Sequence, residues 1–324
     1  MNQIAGKQQQ GREAWAALNE KVTELHQQGD YDSSLDLAKE SLALIENTVG
    51  HHHPDVAISL NNLAAVYDAK GQYADAEPLF ARALAIRQEN LDADDPEIAR
   101  VQNNFAMLFY NTGEFTKAEQ LFRCALKIWQ RKLGEDHPDV ASVNNNLAVV
   151  LGKLGKFQEA EQLHLRALTA WEKNLGSNDT KVAKGLCNLA EFYKSRGNFK
   201  QAEPLIVRSL AIEESILGPD HPNVGTALNN LAALYHCQKR FQQAETLYKR
   251  ALAIWENKLG TRHPKLAACL DNMALLYDAT GQHVEACRYS QRSLTILIEC
   301  FGRHHPSVAS RLEAQATMNK MRGH

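Results

Sequence analysis

The feature that most restricts what this chain can fold into is a period. The pair His53-Pro54 returns as Asp95-Pro96, His137-Pro138, His221-Pro222, His263-Pro264 and His305-Pro306, always at 42 residues or a multiple of it. Asp179-Thr180 holds the remaining place in register. Asn61-Asn62 returns as Asn103-Asn104, Asn145-Asn146 and Asn229-Asn230, and is altered to Cys187-Asn188 and Asp271-Asn272. A glycine returns at Gly29, Gly71, Gly113, Gly155, Gly197 and Gly281, with Lys239 in the remaining place. Units in one register make a repeat array, which grows in one dimension. The length of 324 residues therefore does not imply two ordinary globular domains.

One unit predicts a helical hairpin. Pro54 suits a first helical position, and His53 or an aspartate in its place suits the N-cap. Leu60, Leu63, Ala64 and Tyr67 are spaced as one apolar helix face. Gly71 breaks that helix, and Tyr73, Ala76, Leu79, Phe80, Ala83, Leu84 and Ile86 form a second amphipathic face. Gly134, Gly176, Gly218 and Gly260 then act as stop signals. One hairpin cannot bury both faces, so the units must stack.

The expected organisation is a single solenoid over residues 12–321 after a flexible, Gln-rich start at 1–11. Its seven helix pairs fall at about 12–49, 54–92, 96–134, 138–176, 180–218, 222–260 and 264–302, with a capping helix at 306–321. No linker and no second domain are expected. The start lacks the apolar segment of a signal peptide, and no stretch is long and apolar enough to span a bilayer. Net charge is −2 with the basic residues scattered, so neither nucleic acid nor an anionic membrane is an expected partner. The six cysteines show no metal spacing and are expected as free thiols in the cytoplasm.

Several eye-catching residues read as structural. His51, His52 and His53, like His304 and His305, lie where the repeat consensus itself places histidine, so no metal is expected. Trp129, Trp171 and Trp255 share one second-helix position with Arg87, Glu213 and Leu297, which suggests a half-buried position at the unit junction. There is no phosphate-binding glycine loop and no metalloprotease helix, and His236 and Cys237 point about 100° apart on a helix. No cofactor and no enzymatic activity are expected.

The quoted positions resemble tetratricopeptide repeats: Leu60, Leu63, Ala64 and Tyr67, then Gly71 and Tyr73, then Ala76, Phe80 and Ala83. The long unit is similar to the cargo-binding repeats of kinesin light chains and their bacterial relatives. The strings that carry this are His53-Pro54-Asp55-Val56-Ala57, Asn61-Asn62-Leu63-Ala64 and Ala83-Leu84-Ala85-Ile86-Arg87. The resemblance implies an all-α fold, a right-handed superhelical αα solenoid of antiparallel helix pairs. The heptad-rich coiled coil that joins a light chain to a heavy chain is absent, which favours a stand-alone prokaryotic adaptor.

Helical geometry turns Ile58, Asn62, Ala65 and Ala69 away from the core face. In the proteins this chain resembles, that face lines a concave groove, where an asparagine bonds the backbone of an extended peptide. The matching residues are Asn62, Asn104, Asn146, Asn188, Asn230 and Asn272, and their neighbours on the face include Arg100, Met107, Val149, Lys153, Lys184 and Glu191. An amide offers donors and an acceptor, so the same asparagines can instead bridge adjacent first helices. Asn61, Asn103, Asn145 and Asn229 point sideways, which suits bridging. Arg100, Lys153, Lys184 and Lys194 suggest an acidic or carboxylate-bearing peptide as partner. The expected function is a protein- or peptide-binding adaptor, monomeric or weakly self-associating. The alternative is a self-assembling scaffold that uses its convex face or its ends.

Overall fold

Every first helix from the second hairpin onward begins at the same kind of cap. His53, His137, His221 and His263 each accept, through Nδ1, the backbone N–H two residues on, at 3.1 to 3.2 Å. Asp95 and Asp179 do the same with a carboxylate oxygen at 2.8 and 2.7 Å. A proline follows each cap except Asp179, where Thr180 starts the helix. Proline suits that position because its missing N–H has no partner there in any case.

The computed structural model describes residues 2–303, 308, 309, 311 and 312, with side chains from residue 8 onward. It pairs α1 (Asn2–Gln28) with α2 (Tyr31–Val49), α3 (Pro54–Ala69) with α4 (Tyr73–Asn90), and α5 (Pro96–Asn111) with α6 (Phe115–Leu133). Next come α7 (Pro138–Lys153) and α8 (Phe157–Leu175), then α9 (Thr180–Ser195) and α10 (Phe199–Leu217). Last are α11 (Pro222–Cys237) with α12 (Phe241–Leu259), and α13 (Pro264–Ala279) with α14 (His283–Phe301). No strand occurs among the described residues. The chain divides into two compact units, Met1–Ala160 and Glu161–His324, with the division inside α8.

In the first unit, Val56, Ala57 and Leu60 of α3 pack with Ile45 of α2 and with Ala83 and Ile86 of α4. The helix α1 starts earlier than the sequence suggests and takes in the polar residues expected to be flexible. Gly11 marks the place: a Cβ there would lie 2.8 Å from Thr48 Oγ1, so the bare backbone lets α1 run close past the end of α2. In the second unit, Val224, Leu228, Tyr248, Trp255, Leu266, Leu270 and Met273 form one cluster that also holds Leu297 and Val308. Val308 is fully buried, and the described residues around it are helical. Most of the expected capping helix at 306–321 lies outside the described residues.

Candidate ligand-binding face

In the first unit, α3, α5 and α7 turn Leu60, Leu63, Ala64, Ala106, Leu147 and Ala148 into the core. The opposite face carries half-buried Asn62, Asn104, Met107, Asn146 and Val149 and exposed Arg100 and Lys153, as helical geometry predicts. Each inner asparagine reaches back to the preceding hairpin. Asn62 Nδ2 donates to Asn19 Oδ1 at 2.9 Å, Asn104 to Asn61 at 3.0 Å and Asn146 to Asn103 at 3.3 Å. These amide pairs are rungs between successive first helices. Each uses one N–H of the inner asparagine; its other N–H is not part of the rung. Asn103 Nδ2 also donates to Asn104 Oδ1 at 3.2 Å.

In the second unit, Asn188, Asn230 and Asn272 are half-buried, while Lys184 and Glu191 are exposed. Asn272 Nδ2 donates to Asn229 Oδ1 at 3.2 Å. Where an outer asparagine is missing, the rung is rebuilt. Asn230 stands near the Cys187 thiol, which lies 3.2 Å from Ser209 Oγ. Burial pushes the Cys187 thiol up in spite of these neighbours, so it stays protonated and inert. The Asp271 carboxylate instead takes the guanidinium of Arg311, with Ser293 beside it.

The basic character of the face is smaller than the residue types suggest. Arg100 is paired with Glu97 at 2.8 Å, and Lys194 with Glu191 at 2.5 Å, both within one helix turn. Lys153 and Lys184 are exposed.

The tryptophan position is a correction. Trp171, Trp255, Arg87, Glu213 and Leu297 are all buried there, and only Trp129 is half-buried. Glycine makes the room: a Cβ on Gly185 would stand 2.7 Å from Trp171, and one on Gly225 2.7 Å from Trp255. Trp255 Nε1 donates to Pro222 O at 2.8 Å. Among the described residues, no group of three or more histidine, cysteine, aspartate or glutamate side chains gathers as metal ligands would. All six cysteines are free.

A set of cross-hairpin clamps escaped the sequence reading. Arg82 binds Glu46 at 2.6 Å, Arg208 binds Glu172 at 2.6 Å and Arg250 binds Glu214 at 2.7 Å. The same guanidinium groups donate to His51 O, Ser177 O and Pro219 O in the preceding inter-hairpin turn. A glutamate followed 36 residues later by arginine is the signal that would have found them.

Comparison with known proteins fits this architecture. A family model described as tetratricopeptide repeat matches residues 14–89, 97–173, 181–257 and 224–286, and a second of the same description matches 266–307. No match was found among curated proteins. Among solved structures, BtubC (BKLC) from P. vanneervenii is 26% identical, with a TM-score of 0.55 over 75% of this chain and 93% of that one. A Podosopora anserina putative kinesin light chain with nearly identical TPR-like repeats is 25% identical, with a TM-score of 0.54 over 63% and 97%. The Rap conjugation gene regulator of plasmid pLS20, solved with the Phr* peptide, is 14% identical and shares the fold, with a TM-score of 0.64 over 86% and 72%. The matching families describe a repeat fold and no catalytic activity.

Proposed function

The chain belongs to the tetratricopeptide repeat family, and on that premise we propose that it is a protein-binding adaptor that holds an extended peptide segment along the non-core faces of its first helices. The observation that carries this reading is the state of the inner asparagines. One N–H of Asn62, Asn104, Asn146 and Asn272 is spent on the rung. The remaining N–H and Oδ1 of Asn62, Asn146 and Asn272, and the remaining N–H of Asn104, whose Oδ1 also accepts from Asn103, lie on a half-buried face. Such an amide meets one C=O and one N–H of an extended backbone whatever its side chains. Because the rung already fixes the amide, little ordering cost remains for binding. The pLS20 regulator with its Phr* peptide is a precedent for a peptide on this fold.

Selectivity then rests on the neighbours. Exposed Lys153 and Lys184 favour an acidic side chain or a terminal carboxylate, and Met107 and Val149 favour an apolar one. The test is co-purification from the source cells with mass spectrometry. The native chain is compared with a variant carrying Asn146→Ala, Asn188→Ala and Asn230→Ala, both checked for native helicity. Loss of one or more partners from the folded variant is the expected result; an unchanged partner set would rule the face out.

A further inference from the structure

The outer position of the rung varies together with a second residue of the same hairpin. Asn61, Asn103 and Asn229 are followed, 22 residues on, by Ala83, Ala125 and Ala251. Cys187 and Asp271 are followed at the same distance by Ser209 and Ser293. The added hydroxyl is used: Ser209 Oγ lies 3.2 Å from Cys187 Sγ and donates to Ala183 O at 2.8 Å. Ser293 Oγ donates to Ala267 O at 3.0 Å and stands beside the Asp271 carboxylate. The first hairpin differs: Ser41 follows Asn19 but bonds Ser59 at 3.1 Å. From the second hairpin onward, an amide in the outer position thus goes with alanine below it, and a thiol or carboxylate goes with serine.

We propose that the outer residue, seated on its alanine or serine, is the positioning residue of the ligand-binding face. Resting on the peptide-binding reading above, this assigns Asn229 no contact with ligand. Its Oδ1 fixes one N–H of Asn272, and that fixes the direction in which the Asn272 amide faces a peptide backbone. A thiol is a poor acceptor compared with an amide oxygen. The Asn230 amide, which faces the Cys187 thiol where Asn272 has the Asn229 amide oxygen, is therefore less firmly fixed than the Asn272 amide. Converting the Cys187/Ser209 pair to the Asn/Ala pair of the next hairpin tightens it.

Three variants of the full chain test this, each copying or breaking a combination the chain already contains. Asn229→Leu removes the acceptor. Asn229→Asp with Ala251→Ser keeps an acceptor in the manner of the last hairpin. Cys187→Asn with Ser209→Ala installs the amide pair. Hydrogen exchange of side-chain amide protons, read by NMR without ligand, is the first measurement. Expected are loss of the protected Asn272 amide proton in Asn229→Leu, its retention in the Asp/Ser variant, and a newly protected Asn230 proton in the Asn/Ala variant. Equal Asn272 protection in the first two variants, or no gain at Asn230 in the third, overturns the proposal. Should Asn229→Leu not fold, the third variant alone decides.

The second measurement is affinity for a peptide selected by the native chain from a displayed library of random peptides. Asn229→Leu should weaken it about fivefold, as one lost hydrogen bond implies. The Asp/Ser variant should stay near native, and the Asn/Ala variant should bind more tightly. If Asn272→Ala leaves selected peptides bound as before, the peptide-binding reading fails, while the amide protections still decide the positioning role.

Discussion

His164 stands in α8 at the position that is Phe80, Phe122 and Tyr248 in other second helices, and it is as deeply buried as they are. Burial pulls its imidazole down from an ordinary 6.5 to about 4. The folded chain therefore binds fewer protons at this site than the unfolded one. Its contribution is fully present above pH 6.5 and is lost as pH falls from there through 4. At pH 5 the loss is about 2 kcal/mol. Replacing His164 by Phe, as two other hairpins have it, should abolish that part of the acid sensitivity. Urea unfolding at pH 7.5 and pH 5 measures it: the native chain should lose about 2 kcal/mol more than the variant. Lys239 is a second exception. It is the sole described non-glycine residue with positive φ, at 61°, where other hairpins turn on glycine. The Arg240 guanidinium stacks 3.7 Å over the Tyr235 ring and bonds Glu203 at 2.9 Å, which holds the turn in place. Lys239→Gly should relieve the left-handed strain and raise the melting temperature, with a gain of up to about 1 kcal/mol after the entropy cost of glycine.

At the scale of the helix, the pairing of Trp255 with Gly225 runs against the repeat consensus. The position of Gly225 is alanine in the other hairpins after the first: Ala57, Ala99, Ala141, Ala183 and Ala267. Restoring alanine should destabilise the chain, because its Cβ would meet the buried indole at 2.7 Å. Overpacking of this kind costs about 1–3 kcal/mol. Trp255→Leu, which copies Leu297, should remove most of the penalty of Gly225→Ala in a double-mutant cycle; additive costs would show that the two do not compete for space. This pair also marks what could be read from sequence. Caps, turns and apolar faces depend on spacings inside one hairpin, so the period made them legible. Asn62 and its counterparts were placed off the core face for the same reason, and they are half-buried. Their partners 43 residues away were not legible, because they depend on how successive hairpins stack. The tryptophan position was misread as half-buried because it accepts Arg87 and Glu213. Arg87 reaches Glu97 at 3.4 Å, and burial pushes the Glu213 carboxyl up toward its neutral form. Charged residue types were thus a poor guide to exposure.

Across the whole molecule, stability in a repeat array is a sum of hairpin and nearest-neighbour terms, so damage at one end should stay there. The apolar side of the last described hairpin, α13 and α14, is covered in part by the stretch that follows it. Val308, fully buried in the same cluster as Met273, Ile296 and Leu297, supplies part of that cover. The ion pair of Arg311 with Asp271 ties the same stretch to the outer rung position of α13. Placing a carboxylate at this site sets an unpaired charge against apolar side chains, a change of several kcal/mol at the least. Val308→Asp should therefore loosen α13 and α14 selectively. Hydrogen exchange read by mass spectrometry should show faster exchange over residues 264–301, with α3 to α6 in the first unit left at native protection. Asp271→Asn, which restores the consensus amide but gives up the charge on Arg311, should have a weaker effect in the same place, on the order of 1 kcal/mol. Protection lost evenly over all fourteen described helices would instead mean that the chain unfolds as one cooperative block. In that case, the two compact units would not be energetic units.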